Sequence, residues 1–225
     1  MKVVKPKIEY EKFDGIKIMK NLERACRTCY RSEGQITDDS YKKLLSKCIN
    51  VGHESVLEHA KITIRMTCDI GAYKDLTRHR AGTSFSIEST RFCNYSKDKF
   101  TNNIHFIEPL FIDDTEKFEI WKKCMQEIEK NYIQMAKLGA TVDQLRMLLP
   151  QSTAAELTMT CNIRQWRHVF TLRCSKHAHP SIRQVLIPLL LVFKNEMPEL
   201  FADVPYDEDF PKEKYAKIGV IKNAR

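Results

Sequence analysis

"AKITIRMTCDI" (residues 60–70) alternates along its whole length. Ala60, Ile62, Ile64, Met66 and Cys68 fall on one side, and Lys61, Thr63, Arg65, Thr67 and Asp69 on the other. A period of two marks a half-buried β-strand, because successive side chains leave opposite faces of the pleat. "GAYKDLTRHR" (71–80) follows with helical character, and Asp69 stands where its side chain can cap the first turn. The strand thus feeds a helix, and the helix delivers "RHRAGTSFSIESTR" (78–91). That stretch carries three arginines, a histidine, a glutamate and five hydroxyl side chains in fourteen positions. Arginine's planar fork matches phosphate and carboxylate and keeps its charge at any working pH, so an anion is the natural occupant. A solvated, charged loop is the competing reading for any basic stretch taken alone.

Working outward, "NIRQWRHVFTLRCSKHAHPSIR" (162–183) repeats the pattern with Arg164, Arg167, Arg173, Arg183 and three histidines. Residues 163–173 read as a helix with Asn162 as its cap. Arg164 and His168 lie one turn apart and share a face, whereas Arg173 is about half a turn out of phase with Arg164. On a helix, Arg78 and Arg80 likewise diverge by about 200°. Both clusters therefore suit two neighbouring anions, supplied either by two ligands or by two subunits.

The remaining elements are mostly helical. Residues 38–52 read as a helix capped by Asp38 or Asp39 and stopped by Gly52. Residues 113–139 form an amphipathic helix with an acidic cap from Asp113 and Glu116, and its stripe of Trp121, Met125, Ile128, Tyr132 and Met135 reads as core. Residues 141–150 carry a Thr141–Gln144 capping box and stop at Pro150. Residues 156–162 fit either a strand end or a helix, and "RFCNYS" (91–96) alternates like a strand. A last helix over 181–197 is expected to kink at Pro188. With no internal repeat and no linker, residues 1–225 read as a single α+β domain.

Composition narrows the function. The 225 residues are 43% hydrophobic and 29% charged, ordinary for a globular protein. The longest apolar run, "VLIPLLLVF" (185–193), is too short to span a bilayer, and the N-terminal residues lack the apolar core of a secretory signal, so the expected location is cytoplasmic. Cys26 and Cys29 form a CxxC with no companion pair, and "HESVLEH" (53–59) is not HExxH, so no metal is expected. The net charge of +8 points to an anionic partner, and its spread along the chain favours a small phosphorylated molecule. A nucleic-acid-binding module is the rival; it predicts steeply salt-dependent binding and no bound chromophore.

Taken together, these segments resemble the flavin-dependent thymidylate synthases. The family signature is RHR, seven residues, a serine, and an arginine two further on. Here Ser89 and Arg91 take those places with eight residues intervening, one being inserted between Arg80 and Ser84. "HESVLEH" resembles the family's H-x-S-x-x-E-H segment, "LRMLLP" (145–150) its A-R-x-x-L-P segment, and "NIRQWRHVFTLR" (162–173) its N-x-R-x(8)-R segment. Order and spacing hold over roughly 20–195. Ile87 stands where relatives commonly carry Glu or Gln, and Asp75 where some carry Gln or Glu.

The resemblance implies helices around a small antiparallel sheet and a homotetramer with active sites shared between subunits. It implies FAD as cofactor, with NADPH and methylenetetrahydrofolate as co-substrates, and methylation of dUMP to dTMP. Flavin contacts would come from Ser55, Glu58, Arg78, His79, Arg80, Ile87, Asn162, Ile163, Arg164 and His168. Contacts to dUMP would come from Asp75, Leu76, Thr77, Arg78, Ile87, Glu88, Ser89, Thr90, Arg91, Arg146 and Arg173. Arg173 would be catalytic, stabilising the uracil ring ionised at N3. No cysteine is required, and no membrane or nucleic acid is implicated.

Overall fold

The alternating stretch forms β3 (Lys61–Asp69) and occupies the middle of a five-stranded sheet. A computed structural model describes residues 1–97 and 103–221. In the sheet, β3 pairs antiparallel with β6 (Ala154–Asn162) over its full length, from Lys61 opposite Asn162 to Asp69 opposite Ala154. Antiparallel neighbours follow on each side, β2 (Lys7–Glu11) against β3 and β4 (Thr83–Ile87) against β6. β7 (Lys217–Ile221) then joins β2 in parallel, so the sheet is mixed rather than wholly antiparallel. A separate parallel pair joins β1 (Lys2–Val4) to β5 (His105–Ile107).

The pairing settles the ambiguity at residues 156–162 in favour of a strand. Leu157, Met159 and Cys161 are buried beside Ile62, Ile64 and Met66, a period-two pattern that only a strand between two others satisfies. The opposite face is polar: the hydroxyls of Thr63 and Thr160 lie 2.8 Å apart, and Arg65 pairs with Glu156. Packed on the apolar face are α6 (Ile163–Arg173) and α7 (Pro180–Glu196), the latter buried on most sides. That burial explains its continuous apolar run. Among the described residues, no helix is long and apolar enough to cross a membrane.

α7 continues through Pro188, whose ring nitrogen cannot donate to the Gln184 carbonyl. That carbonyl instead accepts the Ala216 N–H at 3.0 Å, while Gln184 Nε2 donates to Lys214 O at 2.5 Å. The segment entering β7 therefore supplies the missing donor.

Elsewhere the expected helices form with adjusted ends. α2 (Ser40–Asn50) follows Asp39, whose carboxylate pairs with Lys42 at 2.8 Å rather than capping. α3 (Ile70–Leu76) is capped by Asp69, which accepts the Ala72 N–H at 2.7 Å, and stops four residues before Arg80. α4 (Thr115–Lys137) is capped by Asp114, not Asp113. Its stripe packs a second, smaller core around Met125, Tyr132, Ile104 and Phe106. α5 (Val142–Leu145) has the Thr141–Gln144 capping box and gives way to a 3₁₀ turn over Arg146–Leu148.

α1 (Gly15–Thr28) and α8 (Pro198–Phe201) have no counterpart in the sequence reading. α1 splits the CxxC: Cys26 is buried with its sulfur 3.3 Å from that of Cys48 on α2, and Cys29 faces solvent. Residues 91–96 are turns and irregular chain, not a strand; β6 already has β3 and β4 as neighbours.

Candidate active site

The antiparallel pairing of β3 with β6 positions the site. α3 leaves one end of this pair and α6 the other, and the C-terminal ends of the two helices meet. Arg173, the last residue of α6, donates from Nε to His79 Nε2 at 3.0 Å and from Nη2 to the Asp75 carbonyl at 3.1 Å. Its Nη1 lies 3.7 Å from Asp75 Oδ1. The RHR triplet lies in the turn after α3, not on a helix. His79 is buried, while Arg78 and Arg80 are exposed on either side of it.

Burial and the neighbouring Arg173 charge, with smaller effects from His168 and Arg78, hold His79 down at about 4, below the usual imidazole range. The imidazole is therefore neutral near pH 7. With Nε2 accepting from Arg173, its proton resides on Nδ1. The His79 ring meets the His168 ring edge-on at 5.7 Å.

On the other face of α6, a groove of about 620 Å³ is lined by Glu54, Glu58, Gly82, Asn162, Arg164, His168 and Thr171, among others. Arg164 bonds Glu58 at 2.7 Å and approaches Glu54 at 3.7 Å. Glu54 also reaches Arg167 Nε at 3.5 Å, and Arg167 grips Asp203 with both nitrogens, at 2.7 and 2.8 Å. Asn162 caps α6 as expected by accepting the Gln165 N–H at 2.8 Å. Gly82 adopts φ +61° against it. Arg164 and Arg173 occupy opposite faces, as their phase requires. His168 lines the groove and also touches His79, so the two clusters form one continuous site.

The exit of β4 supplies a third group. Glu88 is held within the fold: Tyr95 donates its hydroxyl at 2.8 Å and the Glu156 N–H donates at 3.2 Å. Burial and the Glu88 carboxylate push the Tyr95 phenol up, which keeps it a donor. The Ser89 hydroxyl accepts the Arg91 N–H at 3.3 Å, and Arg91 Nε pairs with Asp143 at 2.9 Å. Both partners of that pair are more than half exposed, so it is easily exchanged for another anion. Arg78, Arg80 and Arg146 are exposed and pair with no carboxylate among the described residues.

The other expected site residues differ in their surroundings. Leu76 and Ile163 are fully buried core and offer a ligand main-chain groups at most. The Thr77 hydroxyl donates to Lys74 O at 3.0 Å at the end of α3, and Thr90 is half-buried. Ile87 packs against the main core, and Ser55 is exposed on the 3₁₀ turn Glu54–His59. Arg65 pairs with Glu156 on the exposed face of the sheet, and Arg183, counted with the second basic cluster, is tied up in a largely buried pair with Asp207. The sequence reading missed Glu54 and Gly82 as parts of the site. The signals were Glu54 four residues before Glu58, and Gly82 lying in the inserted loop.

Comparisons with known proteins identify the family and the fold. Residues 17–199 match the Thy1 family model, described as thymidylate synthase complementing protein. A flavin-dependent thymidylate synthase of Pyrococcus abyssi is 33% identical over 158 residues, covering 69% of this chain and 64% of that protein. One from Pyrococcus furiosus is 30% identical over 187 residues, covering 82% and 71%. Among solved structures, thymidylate synthase X from Helicobacter pylori with FAD and dUMP superposes with a TM-score of 0.70 at 20% identity, over 88% of this chain and 98% of that one. The UMP/dUMP methylase PolB from Streptomyces cacaoi bound with 5-Br dUMP gives 0.73 at 19%, over 90% and 96%. At these identities the two structures establish the shared fold.

Proposed function

This chain belongs to the Thy1 family, the flavin-dependent thymidylate synthases, and on that premise we propose that it methylates dUMP to dTMP with FAD as its bound flavin. The observation that carries the proposal is the joined pair of faces on α6. Arg164 and Asn162 face an open groove, Arg173 faces the end of α3, and His79 with His168 closes the space between them.

The residues present fit FAD. The groove lies within the size range of cofactor sites and combines a guanidinium, an amide and an imidazole. Arg78 and Arg80, with no carboxylate partner among the described residues, supply charge suited to a pyrophosphate. When bound, FAD supplies the hydride chemistry that no side chain here can perform. We assign NADPH as the reductant of FAD and methylenetetrahydrofolate as the carbon donor.

The chain's own groups bind, orient and stabilise charge. Arg146 and Arg91 hold the nucleotide phosphate, Arg91 giving up its exposed Asp143 partner. Ser89 and the main chain of 87–90 hold the sugar and base. Arg173 places its guanidinium at a uracil carbonyl and stabilises negative charge on the ring, making the carbon to be methylated more nucleophilic. Among the described residues of one subunit Arg78, Arg80 and Arg146 have no carboxylate partner, which suits completion of each site by a neighbour. We therefore assign the active enzyme as a homotetramer in the cytoplasm.

The test is direct. Purified protein is expected to take up FAD, turn yellow and form dTMP from dUMP, methylenetetrahydrofolate and NADPH. A colourless protein that ignores added FAD and binds DNA with a steep salt dependence would establish the nucleic-acid alternative instead.

A further inference from the structure

The central histidine of the RHR triplet is buried in the protein, while the arginines on either side of it are exposed. It is 5% exposed, and its one available acceptor, Nε2, is taken by Arg173 Nε–H at 3.0 Å. We propose that His79 is a positioning residue: it orients the Arg173 guanidinium toward the nucleotide. The inference rests on the functional reading above.

A guanidinium is planar and rigid, so two bonds made from one edge fix its plane and the direction of its remaining donors. Arg173 has those two bonds, Nε–H to His79 and Nη2–H to the Asp75 carbonyl. Both acceptors are electrically neutral. A carboxylate in place of His79 would hold Arg173 equally well but would cancel the charge that an anionic ring needs. The Asp75 carboxylate is the nearest candidate for that cancellation, and it stands off at 3.7 Å. A neutral imidazole orients the cation and leaves its charge available.

Burial first, and then the groups facing it, keep His79 neutral. Arg173 and His168 approach from α6 and Arg78 from its own turn, all disfavouring an imidazolium, while Asp75 on α3 acts the other way. His79 also touches the His168 ring, which lines the groove on the far side. Movement of His168 on ligand binding would thus be felt at Arg173.

The experiment compares flavin-loaded wild type with His79→Leu, which has no acceptor, and His79→Gln, whose amide oxygen can accept. His79→Leu is expected to keep its flavin absorbance and lose roughly tenfold or more in dUMP affinity by calorimetry, the scale of one charge-assisted bond. His79→Gln is expected to recover most of that loss. A His79→Leu variant that binds dUMP as wild type does, or that loses flavin while keeping dUMP, overturns the positioning role alone. Wild type that binds no dUMP overturns the functional reading and the role with it. Should His79→Leu fail to fold, side-chain nitrogen NMR of wild type decides. A neutral His79 protonated on Nδ1 at pH 7 supports the inference, and protonation on Nε2 overturns it.

Discussion

Gly82 lies directly against Asn162: a β-carbon on Gly82 would fall 2.3 Å from Asn162 Nδ2, and the Gly82 carbonyl accepts the Asn162 N–H at 3.1 Å. Its φ of +61° adds a second reason for glycine. The extra residue of the signature loop is thus fitted to the cap of α6, on the face of the site proposed to hold flavin. Gly82→Ala is expected to displace Asn162, cost about 1–3 kcal/mol of stability and weaken flavin binding, read by denaturant midpoint and FAD titration. Deleting Gly82 removes the same contact and is expected to affect flavin before nucleotide. Wild-type FAD affinity in both variants would show that the loop and the cap are uncoupled.

The two faces of α6 can be separated. Arg173→Ala is expected to lose about 1.5–3 kcal/mol of dUMP affinity, roughly ten- to a hundredfold, and to keep its flavin. Arg164→Ala is expected to weaken flavin and leave dUMP binding to flavin-saturated protein near normal. Arg164 and Glu58 are each about half exposed, so their pair adds little stability and the variant should fold. The check is a pair of titrations on each variant. Arg173→Ala that loses flavin and keeps nucleotide affinity would reverse the assignment of faces.

Acid should destabilise the protein through His79. Its folded value of about 4 lies below the ordinary 6.5, so between those pH values the unfolded chain binds a proton that the folded protein does not. Stability is therefore complete above about 6.5 and falls as pH drops toward 4, by roughly 3 kcal/mol at 1.4 kcal/mol per pH unit. Urea midpoints measured from pH 7 to pH 4 are expected to fall less steeply for His79→Gln than for wild type. Identical slopes would exclude His79 as the source.

How far the site could be read from sequence follows from what each signal depends on. β3 was legible because one of its faces is apolar and the other polar, and α6 because Asn162 and Arg173 bound an uninterrupted helical stretch. Residues 156–162 alternate in the sequence too, Leu157, Met159 and Cys161 against Glu156, Thr158 and Thr160, but over a run short enough to suit a helix as well; pairing with β3 and β4 on both sides decides for the strand. β7 was invisible: its burial pattern is largely exposed, and it exists through its parallel pairing with β2, 210 residues away at Lys7–Lys217. Arg164 and Arg173 could be assigned to opposite faces by counting residues. The His79–Arg173 bond could not, because it depends on α3 ending at Leu76 and on the two helix ends meeting.

Cysteine chemistry should be dispensable. Cys93 is nearest the signature, two residues past Arg91, and lies in irregular chain packed against the smaller core with Tyr95 and Tyr132. A nucleophile needs an accessible thiolate aimed at the substrate, and the half-buried Cys93 packs against the smaller core instead. The buried cysteines are further removed. Burial raises Cys48 to about 12, with a contribution from Cys26, and Cys161 to about 11, and it pushes Cys68 and Cys174 up as well. Brief iodoacetamide treatment of native protein is expected to label the exposed Cys29 and Cys124 and spare these four, as read by peptide mass spectrometry. Cys93→Ser is expected to keep most of its turnover, and enzyme quenched during turnover to carry no protein–nucleotide adduct. The mechanism raises the nucleophilicity of the ring through Arg173 and needs no covalent bond to the protein. Loss of turnover in Cys93→Ser with FAD and dUMP still bound, together with an adduct mapped to Cys93, would replace that mechanism with thiolate attack on the ring.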